Sequence, residues 1–333
     1  MTNSFKALLI TEAGGKNQPE IVTLTSDDLP VGDVLVSVEF SSLNYQDAMA
    51  VTGTGNIIRS FPIVPGIDLA GTVIKSDSSF YTKGQKIVLT GWSVGERYWG
   101  GYAQVQRVKS EWLVPLPDEL STHQAMAIGT AGFTAMLCVT TLEEAGVLPD
   151  AGDILVTGAA GGVGSVSVAL LSALGYTVTA LVPHPVTEAQ TSYLKGLGAA
   201  KIISGEEWEA KPQALEKQRW AGAIDTVGSV VLARVLAEVF YGGAVAVCGL
   251  AGGSNLTTTV MPFILRGVRL LGVDSVQCPF EKRKKIWKRI ALHVSEARLD
   301  KVAQTIALAD VVRYGAEMME GKVQGRIVVD VNS

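Results

Sequence analysis

A cluster of small residues after position 157 carries the clearest chemical signal in the chain. Ala159, Gly161 and Gly164 reproduce the spacing of the Gly-x-Gly-x-x-Gly fingerprint with alanine in the first position, and Gly158 directly precedes them. In this fingerprint the first positions allow a tight turn and let backbone N–H groups approach a pyrophosphate, and the last lets a helix lie close to a strand. The same pattern is also compatible with a purely structural turn.

The surroundings of this turn favour nucleotide binding. Residues 154–157 predict a buried strand and residues 163–174 an apolar helix, so the turn opens a helix whose free N–H groups and positive dipole end attract phosphate. Strand patterns then alternate with helical patterns, which predicts a doubly wound parallel sheet. The further strands are predicted over 177–182, 201–204, 222–227, 244–248 and 270–276, and the helices between them over 187–197 and 230–239.

The end of the second predicted strand bears on the choice of dinucleotide. Enzymes that use NAD usually place an acid there, about 20 residues after the glycines, to hold the ribose 2′-hydroxyl. Here Val182 is followed by Pro183 and His184, and no acid occurs before Glu188. This favours NADP. His184 is a candidate partner of a 2′-phosphate, or simply an exposed loop histidine, and Lys195 and Lys201 are alternative cations.

The first third of the chain has a different pattern, with short strand-forming runs between Gly- and Pro-containing turns. Strands are predicted over residues 5–10, 34–40, 71–75, 86–90 and 102–108, which is typical of a small barrel-like β domain. A helix over 123–144 is interrupted by Gly129 to Gly132. The tail predicts a basic helix over 281–294, a helix over 311–319 and a strand over 325–331.

Composition narrows the class of protein. The length of 333 residues fits two domains, and 47% hydrophobic residues supply a large core. A net charge of −4 indicates no nucleic-acid partner. We found no run close to the about 20 apolar residues of a membrane span, and the first residues do not resemble a signal peptide, so no membrane partner and a cytoplasmic location are expected. The three scattered cysteines indicate neither a disulfide framework nor a cysteine-based zinc site.

Seven further segments narrow the classification. They are residues 41–48 (SSLNYQDA), 65–73 (PGIDLAGTV), 91–96 (GWSVGE), 128–136 (IGTAGFTAM), 220–228 (WAGAIDTVG), 248–253 (CGLAGG) and 258–266 (TTVMPFILR). With these segments the chain resembles, over nearly its whole length, the acrylyl-CoA reductase subfamily in the quinone oxidoreductase branch of the medium-chain dehydrogenase/reductase superfamily. The resemblance implies an α/β protein. Its GroES-like β-barrel catalytic domain would span residues 1–125, completed by 277–333, and its Rossmann doubly wound parallel-sheet domain, the NADP-binding one, would span 126–276.

The resemblance implies NADPH-dependent reduction of acryloyl-CoA to propanoyl-CoA, an enoyl-CoA thioester being the small-molecule substrate. No metal is expected, because zinc alcohol dehydrogenases have Gly-His-Glu where this chain has Gly66, Ile67 and Asp68. A homodimer is implied as well, formed by pairing of the strand over residues 270–276 if that strand is the edge of the sheet.

The family's cofactor contacts can be carried over residue by residue. They place Tyr45 beside the nicotinamide, together with Leu250, Ile264 and Ser275, and Arg326 at the domain junction. The pyrophosphate would lie on Ala160, Gly161, Gly162, Val163 and Gly164, and the adenosine ribose on Val182, Pro183 and His184. Two departures weaken the NADPH prediction: the family usually has Ser-Gly-Arg at positions 182–184 and often an arginine at Gly205, so the usual guanidinium on the 2′-phosphate is missing.

The expected chemistry is hydride transfer from the nicotinamide C4 to the β-carbon of the thioester, followed by protonation of the α-carbon. Tyr45 is the candidate acid, or an aromatic that only packs on the cofactor. Asn44 is a candidate donor to the cofactor or to the thioester oxygen, or a cap of its loop. Asp68 either serves the site or fixes its loop.

Two other features admit a functional and a structural interpretation. The basic run over residues 281–289 either captures the phosphates of coenzyme A or forms a solvated helix face. Trp92 and Trp99 either wall the substrate pocket or pack in the core.

Two rival functions use the same fold. One is an NADPH quinone or enone oxidoreductase, which needs no site for coenzyme A, and the other is a cofactor-binding protein without activity. Turnover of acryloyl-CoA against a simple quinone separates the first from the main hypothesis, and a panel of enoyl-CoAs exposes the second.

Overall fold

Runs of β-branched and apolar residues between glycine-containing turns form most of the strands, as their pattern predicts. The computed structural model describes residues 4–208, 210–294, 299 and 302–333. It divides into two compact units, Met1–Thr130 with Ser275–Leu292 and Val302–Ser333, and Ala131–Asp274 with His293–Lys301. The domain limits predicted from the sequence, at residues 126 and 276, remain predictions.

The first unit is rich in strands. They are β1 (Phe5–Ala13), β2 (Lys16–Leu24), β3 (Val34–Leu43), β4 (Asp68–Ser76), β5 (Lys86–Thr90), β6 (Val105–Val108), β7 (Val114–Pro115), β14 (Ala303–Ala307) and β15 (Arg326–Asp330). A seven-stranded sheet runs in the order β14-β15-β3-β4-β5-β7 with β6 paired to β3, and β1 and β2 form a separate hairpin. Helices α1 (Tyr45–Thr52), α7 (Phe280–His293) and α8 (Val311–Met319) accompany the sheet.

The core of the first unit follows the two-residue period of its strands. Val34, Val36 and Val38 of β3 are fully buried, whereas the residues between them are only half-buried. Successive side chains of a strand point to opposite faces, so one face of β3 lies against the apolar core. This packing fixes β3 and β4 (Asp68–Ser76), whose ends carry the polar residues described below.

The second unit is a doubly wound sheet. Its strands are β8 (Ile154–Val156), β9 (Val178–Val182), β10 (Lys201–Ser204), β11 (Trp220–Asp225), β12 (Val239–Val247) and β13 (Arg269–Gly272), and its helices include α3 (Gly162–Ala173), α4 (Glu188–Leu197), α5 (Ser229–Glu238) and α6 (Met261–Arg266). The order β10-β9-β8-β11-β12-β13 is parallel throughout. This is the 3-2-1-4-5-6 arrangement of a Rossmann fold, so the predicted fold class is confirmed.

Helix α2 (Thr122–Glu144) was predicted as a helix but not as a long apolar run. Its 23 residues are long and apolar enough to cross a bilayer by length and composition alone. Its most apolar 18-residue stretch has a mean hydropathy of 1.6, yet 83% of that stretch is buried inside the protein. Such burial is typical of a core helix. The predicted interruption is present at Gly129, whose backbone is not helical.

Some elements were missed by the sequence patterns. Residues 45–52, 261–266 and 303–307 form α1, α6 and β14, and residues 16–24 form β2, none of which was predicted. The strand predicted over 270–276 ends at Gly272. Most of these segments are short or largely exposed, so their apolar periodicity is weak.

Candidate active site

The glycine-rich turn of the second unit has the geometry of a phosphate cradle. It follows β8, and α3 begins at Gly162 with Gly161 as its N-cap in an extended conformation. A Cβ added to Gly164 would lie 2.3 Å from the Gly158 carbonyl oxygen and 2.7 Å from the Ala159 Cα. Glycine is therefore required where the helix approaches the turn. The first turn of α3, with Val163, presents N–H groups that the helix leaves without internal acceptors.

Buried hydrogen bonds hold this turn to the neighbouring strand. The Thr157 hydroxyl donates to Asp225 Oδ1 at 2.7 Å, and the Gly228 N–H donates to Asp225 Oδ2 at 2.8 Å. The Thr226 N–H donates to the Thr157 hydroxyl at 3.0 Å. Burial raises the pKa of Asp225, against the lowering effect of these hydrogen bonds. Asp225 thus ties together the ends of β8 and β11, where the strand order reverses and dinucleotides bind.

The carboxyl ends of β9 and β10 lie side by side and carry the predicted ribose-binding residues. Val182 pairs with Ser204 in the parallel register, and Pro183 and His184 follow β9. His184 Nδ1 lies 3.2 Å from the Ser204 hydroxyl and 3.8 Å from Glu206 Oε2. The three side chains therefore form one polar group at this edge.

The alternative cations lie elsewhere. Lys201 begins β10 and forms an ion pair with Asp153 at 2.7 Å, at the amino edge of the sheet. Lys195 lies in the last turn of α4, the helix that leads into that same edge. Because nucleotides bind at the carboxyl edge, these two lysines are poorly placed for a 2′-phosphate.

The far side of the same sheet edge forms an open cleft. The residues after β12 and β13 line a cavity of about 480 Å³, among them Cys248, Leu250 and Asp274. Leu250 and Ile264, both predicted at the nicotinamide, are 65% and 71% exposed. Of these two, Leu250 lines the cleft and is available to contact a ligand ring there.

In the first unit, Asp68 is the centre of a buried polar network. Its carboxylate accepts hydrogen bonds from the Ser42 hydroxyl at 2.5 Å, from Asn44 Nδ2 at 2.9 Å, and from the Thr130 N–H and hydroxyl at 2.9 and 2.5 Å. The residue is fully buried. The carboxylate therefore has little capacity left for a ligand and acts as an anchor for three segments of the chain.

Asn44 and Arg326 extend this network. Arg326 Nη1 donates to Asn44 Oδ1 at 2.9 Å, and Arg326 Nε donates to the Ala127 carbonyl oxygen at 3.1 Å. Asn44 Nδ2 faces both Asp68 and Asp47. Both ends of the Asn44 amide are thus engaged inside the unit, and Arg326 is buried with it.

Asp47 is a member of the network that the sequence did not single out. It accepts from the Asn44 N–H at 2.9 Å and from the Ile67 N–H at 2.9 Å. Burial, reinforced by the nearby charge of Asp68, raises the pKa of Asp47 from 3.8 to about 7. Its position three residues after Asn44 matches a helix capping pattern, which was the available signal.

Tyr45 is the first residue of α1 and the exposed member of this region. Its side chain is 51% exposed, whereas Asn44 and Asp47 on either side of it are buried. The nearby Tyr102 is different, because its buried hydroxyl donates to the Ser42 carbonyl oxygen at 3.1 Å. Burial raises the pKa of Tyr102 well above its ordinary value, so of these two phenols Tyr45 is the accessible one.

Two of the remaining predicted residues of the first unit, Trp92 and Ser275, lie against Arg283. This buried residue of α7 donates to the Thr90 carbonyl oxygen at 2.7 Å and to the Ser275 carbonyl oxygen at 2.9 Å, and its guanidinium lies 5.2 Å from the centre of the Trp92 ring. Trp99 instead donates from Nε1 to the Pro62 carbonyl oxygen at 3.2 Å. Ser275 and Trp92 are therefore held in place by one helix.

The exposed lysines of α7 show a solvated pattern. Lys284 lies 3.8 Å from Glu281, and both side chains are more than half exposed. Lys285 and Lys288 are exposed as well. Exposed cations of this kind contribute little to folding.

Among the residues that the structure describes, no group of three or more His, Cys, Asp or Glu side chains is arranged to hold a metal ion. In particular, Asp68 and Asp47 face amide, hydroxyl and N–H donors rather than histidine or cysteine.

Comparison with protein families gives two matches. The model of the alcohol dehydrogenase GroES-like domain matches residues 30–118. The model of the zinc-binding dehydrogenase domain matches residues 162–292. Together they match parts of both units.

Three relatives are similar over nearly the whole chain. A probable acrylyl-CoA reductase of Escherichia coli (strain K12) is 53% identical over 328 residues, 98% of this chain and 100% of the relative. The putative quinone oxidoreductase YhfP of Bacillus subtilis is 40% identical over 99% of each chain, and its crystal structure with NAD bound has a TM-score of 0.95. The crystal structure of E. coli K-12 YhdH with bound NADPH, 53% identical, has a TM-score of 0.95 and covers 98% of this chain and 100% of that one.

Proposed function

Because the chain belongs to the medium-chain dehydrogenase/reductase superfamily, we propose that it reduces acryloyl-CoA to propanoyl-CoA with NADPH. The observation that carries this proposal is the 53% identity, over 98% of the chain, to a protein named as a probable acrylyl-CoA reductase. The region of similarity spans 98% of the chain, so it covers the positions of both candidate sites.

The choice of NADPH is supported by the chain's own residues. The close packing of Gly164 against Gly158 leaves a cradle that fits a pyrophosphate. No acid directly follows β9, which is where NAD enzymes usually hold the ribose 2′-hydroxyl. A relative with 53% identity has been crystallised with NADPH, although one with 40% identity holds NAD.

Different residues of the chain have different roles in the proposed reduction. NADPH, when bound, supplies the hydride that the β-carbon of the thioester accepts. Tyr45 donates a proton to the α-carbon, because its exposed hydroxyl is accessible to a substrate. Asn44, Asp68 and Arg326 act as positioning residues, since their hydrogen bonds are made to one another and to the start of α1.

The binding residues proposed for the cofactor are those predicted from the sequence, except Arg326, which is proposed above as a positioning residue. Gly161, Gly162, Val163 and Gly164, with Ala160, surround the pyrophosphate, and Val182, Pro183 and His184 contact the adenosine ribose. Leu250, Ile264, Ser275 and Tyr45 contact the nicotinamide. Their support is the position of the first two groups at the carboxyl edge of the sheet.

Two further proposals concern assembly and location. We infer a homodimer that pairs through β13, because this strand is the edge of the six-stranded sheet and an unpaired edge is available for association. A cytoplasmic location follows from the proposed use of NADPH and a coenzyme A thioester. Size-exclusion chromatography with light scattering tests the first: a molar mass near twice 35.1 kDa is expected.

A quinone reductase is the second candidate, favoured by the 40% identity to the putative quinone oxidoreductase of B. subtilis. The test compares kcat/KM for acryloyl-CoA and for 1,4-benzoquinone, each with NADPH and with NADH. We expect acryloyl-CoA with NADPH to be the best combination. A quinone turned over at least as efficiently would contradict the proposed substrate, and no oxidation of either cofactor by any enone would indicate a protein without activity.

A further inference from the structure

An acidic residue, Glu206, lies at the carboxyl edge of β9 and β10 although it is distant from the end of β9 in the sequence. No acid follows β9 directly, but β10 pairs in parallel with β9 and places Ser204 opposite Val182. Glu206 comes two residues after Ser204, at the start of a short 3₁₀ turn, Glu206–Trp208. Its carboxylate therefore reaches the ribose-binding region from the neighbouring strand.

His184 is the residue that this carboxylate meets. Glu206 Oε2 lies 3.8 Å from His184 Nδ1, and the Ser204 hydroxyl lies 3.2 Å from the same nitrogen. The Glu206 N–H also donates to the Ser204 hydroxyl at 3.3 Å. The imidazole, the hydroxyl and the carboxylate thus form one group, in which the His184 side chain is 48% exposed and the Glu206 side chain 71%.

We propose that Glu206 limits the preference for NADPH, because its carboxylate competes with the 2′-phosphate of the cofactor for His184. The inference rests on the proposed use of NADPH and concerns a residue outside the glycine-rich cradle. A phosphate seated at His184 and Ser204 brings a second anion within a few ångströms of Glu206. NADH carries a hydroxyl at that position and meets no such repulsion.

The size of the effect follows from electrostatics. The pair is exposed, so the repulsion acts through water, but the separation is shorter than the roughly 10 Å over which 0.1 M salt screens charges. Removing the carboxylate charge should then tighten NADPH binding by about two- to fivefold at low ionic strength. The gain should shrink as salt is added, and NADH binding should stay unchanged.

The test measures dissociation constants, not turnover. Full-length protein is titrated with NADPH and with NADH, with calorimetry or cofactor fluorescence as the readout, for the wild type, Glu206→Gln and Asp150→Asn. Asp150 is an exposed acid just before β8, at the opposite edge of the same sheet. The Asp150→Asn substitution changes the net charge by the same amount as Glu206→Gln but removes no contact with His184.

The expected result is a lower Kd for NADPH in Glu206→Gln only, with the Kd for NADH unchanged. In the reverse experiment, His184→Gln should weaken NADPH binding by a similar factor. An unchanged Kd for NADPH in Glu206→Gln, or an equal gain in Asp150→Asn, overturns the proposal. So does weaker NADH binding with NADPH unchanged, since Glu206 would then hold the ribose hydroxyl.

Failure of the proposed function is recognised separately. If the wild type binds NADH more tightly than NADPH, the cofactor proposal fails, whereas the effect of Glu206→Gln on the NADPH affinity is still measured. If acryloyl-CoA is not reduced, the substrate proposal fails and the binding data are untouched.

Discussion

Tyr45 differs from its neighbours in being accessible. It follows the buried Asn44 and begins α1, and half of its side chain is exposed. An acid needs access to the substrate, and a neutral phenol can donate without having been desolvated as a charge. The buried network of Asn44, Asp47 and Asp68 holds the start of α1, and with it the backbone that carries the phenol.

Replacement of this phenol tests the acid role. We expect Tyr45→Phe to lower kcat on the order of 10²-fold with a smaller change in KM, measured by steady-state kinetics with acryloyl-CoA. Tyr98→Phe is a matched control, because Tyr98 is an exposed tyrosine of the same unit (43%). An unchanged kcat in Tyr45→Phe would limit Tyr45 to packing.

Asp47 should make stability depend on pH. Its pKa is raised to about 7 by burial and by Asp68, so the folded protein holds this proton more tightly than the unfolded chain does. The stabilisation from this group is therefore complete below about pH 4 and is lost as the pH rises to about 7. We expect the thermal midpoint to fall over this range in the wild type and to fall less in Asp47→Asn. Equal slopes for both proteins would show that Asp47 titrates normally.

At the scale of elements, the break in α2 (Thr122–Glu144) has a local cause. Gly129 has a φ of +53°, and an added Cβ would lie 2.4 Å from Arg326 Nη2 and 2.7 Å from Asp68 Oδ2. The interruption lets the helix begin again while the Thr130 N–H and hydroxyl point to Asp68. The glycine thus allows a long core helix to contribute to the polar network.

This role gives a stability prediction. Gly129→Ala should destabilise the protein by at least about 2 kcal/mol, because it combines a strained backbone with a clash against buried polar groups. Gly146→Ala is the matched control: its φ is +80° but its Cβ would meet nothing within 4 Å, so only the backbone cost of about 1 kcal/mol is expected. Denaturant unfolding measures both, and equal losses would mean that the surroundings of Gly129 adapt.

Helix α7 (Phe280–His293) was predicted from its charged residues, but the residues that it buries determine where it packs. Arg283 reaches the end of β5 at Thr90 and the Ser275 carbonyl oxygen. The exposed lysines on the opposite face are more typical of a solvated surface than of an ion-binding site. The helix is therefore held by the buried arginine together with its buried apolar residues, Ile286, Trp287 and Ile290.

At the scale of the whole molecule, the absence of zinc can be predicted. The superfamily contains zinc enzymes with a Gly-His-Glu motif, and this chain has Gly66, Ile67 and Asp68 at those three positions. Asp68 is held by hydroxyl, amide and N–H donors. Zinc requires three or four nitrogen, sulfur or oxygen ligands. We expect purified protein to contain less than 0.1 zinc per chain, an order-of-magnitude limit, and to keep its activity in EDTA. Stoichiometric zinc by elemental analysis, or loss of activity that zinc restores, would contradict this.

Much of the fold was predictable because its signals are local. The cradle depends on glycine spacing after an apolar strand, and the alternation of strands and helices indicates a parallel sheet without any contact information. The elements that were missed, such as α1 and β2, lack a strong apolar period. Their structure depends on what they pack against.

The sequence by itself determined the dinucleotide-binding fold and the glycine turn, because each depends on residues close together along the chain. That Tyr45 is exposed was decided by the structure. Only the tertiary structure decided how the polar residues are used. Asn44, Asp68 and Arg326, distant in sequence, are joined by hydrogen bonds into one buried network. Glu206 likewise reaches His184 only because β9 and β10 are neighbours. Charges and hydrogen bonds act through space over a few ångströms, and the order of residues along the chain does not specify those distances.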